Sequence, residues 1–180
     1  IFASGSGSNA EIIVEHFKGS TAVNISHIFC NNPEAGVIER AKRLDIPCSL
    51  FSREEYRNGA FLRKIQSSQT DWIVLAGFLW LIPSEYVQAF PQRIINLHPA
   101  LLPKFGGKGM YGHHVHEAVK AAGDPVSGIT IHIVNEHYDE GKIIFQAATA
   151  IAPEDSAESI AQKVLALEHR YFAEVIAGLL

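Results

Sequence analysis

The sequence predicts an α/β protein with an open, mostly parallel, Rossmann-like sheet and helices on both faces. Three observations carry that expectation. Strand-like and helix-like segments alternate from the first residues, the order that produces parallel sheets. The run Trp72-Ile73-Val74-Leu75-Ala76 is apolar at every position, which suits a central strand covered on both faces. The first strand-like segment runs into a glycine-rich turn and then a helix, and Ile94-Ile95-Asn96-Leu97-His98 ends in polar side chains, as expected where such sheets place their ligands.

Taken in order, Ile1-Phe2-Ala3 is the first strand, followed by the turn Gly5-Ser6-Gly7-Ser8-Asn9. Ile12, Ile13, His16 and Phe17 then recur at the spacing of one helical face, with Lys18 and Gly19 as the stop. Val23 to Cys30 reads as a strand broken by Asn31-Asn32-Pro33, and Val37, Ile38, Ala41 and Leu44 form the apolar face of a second helix. Ile46 to Phe51 is a short strand. Ser52 caps a helix from Arg53 onward that buries Phe61, Leu62 and Ile65 and ends at Ser67-Ser68. After the two apolar strands at 72–76 and 94–98, Val115 to Ala122 is helical. Ile129–Val134 and Ile143–Ala147 are strands, and a long amphipathic helix capped by Ser156 runs to Leu180.

With 180 residues, 47% hydrophobic and 19% charged, the chain fits one domain spanning 1–180. Ile1 falls in the middle of a strand, so a few residues are expected before it, and a short tail after Leu180. A net charge of −4 argues against a broad grip on nucleic acid, which needs clustered Lys and Arg. No apolar run has the length of a membrane span. Cys30 and Cys48 lack the density of a disulfide scaffold and the spacing of a zinc site, and a reducing, cytoplasmic setting is expected.

The glycine-rich turn suits an anion, because glycine lets backbone approach and the amides and dipole of the following helix face the charge. Gly5 to Ala10 also satisfies the Gly-x-Gly-x-x-Ala dinucleotide fingerprint. That fingerprint expects an acidic residue at the end of the second strand, where Cys30, Asn31 and Asn32 stand. Asn96 and His98 project from the same face of an extended strand, and Pro99 turns the chain into an irregular loop. An amide donor beside an imidazole suits a reaction that develops an oxyanion, the amide holding the charge and the histidine handling protons. A carboxylate to tune the histidine is found at Asp139 or Glu140, in a polar turn that otherwise reads as a solvated hairpin with Gly141 in a left-handed conformation.

These segments together resemble the folate-dependent phosphoribosylglycinamide formyltransferase family from end to end. The likeness runs through Gly5-Ser6-Gly7-Ser8-Asn9, Val74-Leu75-Ala76-Gly77-Phe78, Asn96 to Lys104, Asp139-Glu140-Gly141 and Glu168-His169. The resemblance implies a Rossmann-like enzyme of purine synthesis that takes its formyl group from 10-formyltetrahydrofolate as co-substrate and needs no metal. It implies that Gly7, Ser8 and Asn9 hold the phosphoribosyl end of the acceptor and that Glu168 reaches its sugar. The folate would lie against Leu79, Trp80, Leu81 and Ile82, with Arg53 near its acidic tail and Asn96 bridging toward the formyl group. His98 would act as general acid, Asn96 as oxyanion donor, and Asp139 as the carboxylate that raises the pKa of His98. His132 matches a further family histidine.

Small-molecule substrates, no nucleic acid, no membrane, and a monomer or weak homodimer follow as expectations. Trp80 stands where many members carry Arg, Ala100 replaces a common Ser, and the loop from Phe105 to His114 is longer than the family's usual turn. Related methionyl-tRNA formyltransferases add a tRNA-binding domain, and a formyltetrahydrofolate hydrolase shares the chemistry with water as acceptor. A non-catalytic nucleotide-binding module is the alternative outside enzymes. His113, His114 and His116 read as a surface loop and helix start rather than a metal site.

Overall fold

Strands form at Phe2–Ala3 (β1), Ile28–Cys30 (β2), Cys48–Leu50 (β3), Ile73–Leu75 (β4), Ile94–His98 (β5), Val126–Ile133 (β6) and Ile143–Ala150 (β7). Helices span Ser8–His16 (α1), Val37–Arg43 (α2), Arg53–Arg57 (α3), Ala60–Ser67 (α4), Ser84–Ala89 (α5), His113–Ala122 (α6) and Ala157–Leu179 (α7). This computed structural model describes residues 1–180 and places the strands in one sheet in the order β3-β2-β1-β4-β5-β6-β7. The pairs β1–β2, β1–β4 and β2–β3 are parallel and β6–β7 is antiparallel, so the α/β class and mostly parallel sheet expected from sequence are what is found.

By its internal contacts the chain divides into two units, Ile1–Ile95 with Leu180, and Asn96–Leu179. In the first, strand order reverses between β1 and β4, and ligand crevices form at the carboxyl ends of strands at such a switch point. The segments that leave those ends are tied together: Ser4 N donates to Gly77 O at 3.1 Å, and Leu79 N donates to Ser4 Oγ at 3.1 Å. The core beneath is aromatic. Phe51 stacks on Phe61 with centroids 3.9 Å apart, Phe2 meets Phe61 at 5.4 Å, and Trp80 closes on Tyr56 at 5.4 Å.

In the second unit, β6 and β7 form a hairpin from Val126↔Ala150 to His132↔Ile143, with a bulge after Ile131. The helix α7 presents Ile160, Val164, Glu168, Phe172, Ala173 and Ile176 inward, the stripe expected of an amphipathic helix. Ser156 Oγ accepts from Ser159 N at 3.2 Å, as the cap reading requires.

Beyond shifted strand ends, β6 starting at Val126 rather than Ile129 and β7 running to Ala150 rather than Ala147, four elements depart from the sequence expectation. The second strand is only Ile28–Cys30, because its partner is confined to Cys48–Leu50. Pro47 has no N–H to extend the ladder, and Ile46 N turns back to Ala41 O. The expected single helix after Ser52 is two, split where Gly59 adopts a φ of 78° and Asn58 Oδ1 accepts from Ala60 N. The helix α5 was not anticipated, because one buried residue, Tyr86, gives it no readable periodicity. On α1, His16 is exposed and Ile12 half-buried; the buried side is Ala10, Ile13 and Val14, joined by Phe17 just past the helix end.

Candidate active site

Asn96 and His98 leave the same face of β5, since side chains alternate along a strand. On the adjoining strand β6, His132 and Thr130 likewise share a face, His132 meeting Asn96 and Thr130 the loop that follows His98. Asn96 Nδ2 lies 3.1 Å from His132 Nε2, and His132 Nδ1 lies 3.3 Å from its neighbour's carbonyl, Ile133 O. A carbonyl only accepts, so Nδ1 carries a proton in either charge state; in the charged ring Nε2–H turns to Asp139 Oδ1, and in the neutral ring Nε2 accepts from Asn96. That fixes the Asn96 amide and leaves its second N–H for a ligand.

Asp139 joins both histidines. Its Oδ2 is 3.5 Å from His98 Nδ1 and its Oδ1 is 3.7 Å from His132 Nε2, while Gly107 N donates to Oδ2 at 2.9 Å. Asp139 itself has a φ of 56°, an uncommon conformation outside glycine. The turn expected to need a left-handed Gly141 places Asp139 there instead. Gly141 is required because a Cβ would collide with Ile133 O. His98 Nε2 donates to Phe105 O at 2.8 Å, so both ring nitrogens of this buried histidine face acceptors.

The charges follow from these contacts. Burial alone would raise the Asp139 carboxyl, yet the His132 ring, the His98 ring and the Gly107 amide together hold it below its ordinary range. For His98 burial is the largest influence and lowers its pKa; Asp139 and Phe105 O pull it upward, and His132 adds to the lowering. The sequence expectation that Asp139 raises the His98 pKa therefore holds as a contribution, and burial outweighs it.

The loop after β5 is braced by residues the sequence reading did not single out. Thr130 Oγ1 donates to Ala100 O at 2.7 Å and accepts from Leu102 N at 2.9 Å and from Gln146 Nε2 at 2.8 Å. Gln146 Nε2 also reaches Leu102 O at 3.1 Å. A threonine in an apolar strand was the available signal, since a buried hydroxyl must find partners. Leu102-Pro103 is a cis peptide bond. Ala100 is fully buried and contributes only its carbonyl.

His113, His114 and His116 do not act alike. His113 and His114 are exposed at the start of α6, where His113 pairs with Glu117 and Glu158 and His114 with Glu117. His116, expected near the surface with them, is buried. Its Nδ1 has no hydrogen-bond partner, and burial lowers its pKa, with the charges of His113 and His98 adding to the effect. No group of three or more His, Cys, Asp or Glu side chains is arranged to hold a metal ion.

In the first unit, the glycine-rich turn forms as expected. Gly7 has a φ of 79°, and a Cβ there would meet Val37 Cγ2 at 2.5 Å, so only glycine fits. The first helical bond of α1 is Glu11 N to Gly7 O, and Gly7, which precedes the helix, has no side chain with which to cap it. Leu79 and Leu81 are exposed, Trp80 is half-buried, and Ile82 is buried and presents no side chain. Leu79 N is taken by Ser4 Oγ, and Leu81 O accepts from Tyr56 OH at 3.1 Å. The Arg53 guanidinium lies 5.1 Å above the Trp80 ring, and Arg53, Glu54, Arg57 and Asn58 line an open depression. Glu168, in the second unit, is buried on α7.

Known proteins match this chain over nearly its whole length. Phosphoribosylglycinamide formyltransferase of Bacillus subtilis is 38% identical over all of this chain and 93% of its own. The chloroplastic enzyme of that name from Arabidopsis thaliana is 41% identical over 99% of this chain. The chain spans 64% of the Arabidopsis relative and 59% of the one from Vigna unguiculata. The crystal structure of glycinamide ribonucleotide transformylase 1 from Geobacillus kaustophilus superposes with a TM-score of 0.90 at 35% identity, covering 99% of this chain and 96% of that one. The family described as formyl transferase matches residues 1–176, and the chain belongs to that family.

Proposed function

We propose that residues 1–180 form one formyltransferase domain that moves the formyl group of 10-formyltetrahydrofolate onto the glycinamide amine of 5-phosphoribosylglycinamide. The observation that carries this reading is the cluster in which Asp139 faces both His98 and His132, and His132 holds the amide of Asn96. The names of the relatives, which describe that acceptor, support the choice of substrate.

In this reading the neutral amine attacks the formyl carbon, and a C–N bond forms as the carbonyl pair moves onto oxygen. The free N–H of Asn96 and the Nε2–H of His98 stabilise that oxyanion, Phe105 O giving up its bond to His98. Charged His98 passes its Nε2 proton to the departing folate nitrogen as the C–N bond to folate breaks, and takes one back from the attacking nitrogen, so that one proton moves in net from amine to folate. Asp139 orients His98 and favours its charged form. Gly7, Ser8 and Asn9 take the phosphoribosyl end at the start of α1, largely through main chain, and Glu168 accepts from its sugar hydroxyls. Leu79, Trp80, Leu81 and Ile82 receive the folate, largely through main chain, and Arg53 meets its acidic tail. Both substrates are small molecules. No helix is long and apolar enough to cross a membrane. The free thiols Cys30 and Cys48 favour a reducing compartment, the cytosol or, as in the plant relatives' names, a chloroplast.

The test is formyl transfer from a 10-formyl folate with and without the ribonucleotide. Turnover that requires the ribonucleotide supports the reading. Formate release at the same rate without it replaces the transferase with a hydrolase.

A further inference from the structure

We infer that Arg40 is a positioning residue for the glycine-rich turn, one that binds no substrate and sets the backbone that does. The inference rests on the reading of Gly7, Ser8 and Asn9 as the phosphoribosyl site. Three consecutive carbonyl oxygens of the turn are each taken by a donor from the segment after β2. Ser4 O accepts from Asn32 Nδ2 at 3.4 Å, Gly5 O from Val37 N at 3.1 Å, and Ser6 O from Arg40 Nε at 2.9 Å. These peptides are trans, and in a planar trans peptide the carbonyl of one residue and the amide of the next point in opposite directions. Drawing the oxygens of residues 4, 5 and 6 toward α2 therefore turns the N–H groups of Gly5, Ser6 and Gly7 away from it. The Gly7 amide then points to the same side as the N-terminus of α1, whose first helical bond is Glu11 N to Gly7 O, in an arrangement of donors suited to one anion.

The bond to Ser6 O is the one in this set that depends on a long side chain, and that side chain is held. Arg40 Nη1 pairs with Glu11 Oε2 on α1, and the other Glu11 oxygen takes Arg43 Nη2 at 2.7 Å. Glu11 thus balances the Arg40 charge, so what Arg40 supplies to the turn is geometry rather than an uncompensated cation. A lysine could meet Glu11, but its single ammonium has no Nε–H fixed in a fork to reach Ser6 O as well. Close packing leaves the turn no alternative seat, since Gly7 lies against Val37 and a Cβ on Gly36 would stand 3.3 Å from Ser6 O.

The test is steady-state kinetics of the full chain as Arg40→Ala and Arg40→Lys, with both substrates varied. Hydrogen exchange of residues 5–10 is followed with and without ribose 5-phosphate. The expected result for both variants is a KM for the ribonucleotide raised about tenfold, with kcat and the folate KM within twofold. Ribose 5-phosphate should slow exchange of the turn amides in the wild type and do so less in the variants. A wild-type ribonucleotide KM in Arg40→Lys overturns the inference, as does a parallel rise in both KM values with a fall in melting temperature, which marks a general structural role. If ribose 5-phosphate leaves exchange unchanged in the wild type and the ribonucleotide does not saturate it, the phosphoribosyl reading of the turn fails, and the inference with it.

Discussion

The Phe105 carbonyl and the His98 ring form a 2.8 Å hydrogen bond in which Nε2 must be the donor, whatever the charge of the ring. It follows that in the resting enzyme the proton that charges the ring sits on Nδ1, the nitrogen facing Asp139, while the proton passed in the proposed transfer is the one on Nε2, once Phe105 O releases it. His98 can then present an N–H to an oxyanion even when neutral, which suits a buried histidine whose pKa is lowered. His98→Ala should reduce kcat by about a hundredfold or more, the usual scale for loss of an oxyanion donor or general acid. Folate affinity, followed by fluorescence titration, should stay within twofold. A variant retaining more than a tenth of wild-type turnover would remove His98 from the chemistry.

Asp139→Asn tests the carboxylate shared by two histidines. Because the folded carboxyl is held below its ordinary value of 3.8, its charged form stabilises the native state above that pH, and the contribution is lost as pH falls through the folded pKa. The variant should therefore be less stable than wild type at pH 7, with the gap closing in strong acid. Urea titrations at a series of pH values measure it; a gap that widens on acidification has the wrong sign.

His116 carries the opposite kind of information, because it is buried without a partner for Nδ1 and its pKa is lowered from 6.5. The unfolded chain binds a proton there first, so stability should decline as pH falls below about 6.5. His116→Leu should flatten part of that slope, with His98 and His27, whose pKa values burial also lowers, retaining a share of the rest. Melting temperatures between pH 8 and 5 decide it, and an unchanged slope would mean that His116 is not the group being titrated.

Thr130→Val keeps the shape and removes the hub of the loop. Ala100 O and Leu102 N lose their partner in a buried setting, at a cost of about 2–3 kcal/mol. Turnover should fall with stability, because the loop that follows His98 is no longer held. Denaturation midpoints and kcat measured on the same preparation check both halves, and full activity would detach the loop from catalysis.

Gly7→Ala places a methyl group against Val37 in a left-handed backbone. A rise in the ribonucleotide KM of about tenfold or more is expected, with the folate KM unchanged. Equal effects on both substrates would point to collapse of the unit rather than of the turn.

Much of this was legible in the sequence because it depended on local pattern. The doubly covered strand at Ile73–Leu75, the glycine turn before α1, and Asn96 with His98 on one strand face all follow from periodicity and residue type. What periodicity could not reach was pairing at long sequence separation. Nothing near Thr130 or His132 announces that one will meet Leu102 and the other Asn96. The turn at Asp139 looked like solvated hairpin because its burial comes from the 105–107 loop, whose Gly107 amide reaches back to it. His116 was misplaced for a related reason: its neighbours His113 and His114 are exposed, and only the rotation of α6 turns it inward.

Thr130 and Gln146 stand opposite each other in the β6–β7 ladder and share a hydrogen bond, and both grip the loop that carries the chain away from His98. Slipping that ladder by one residue would carry Gln146's side chain to the far face of the sheet and put Phe145 or Ala147 across from Thr130. Strand alignment at the edge of the sheet and geometry at the reaction centre are in this way a single setting. A misaligned hairpin would be disqualified by its chemistry before its stability was ever tested, so selection for turnover is at the same time selection against edge slippage.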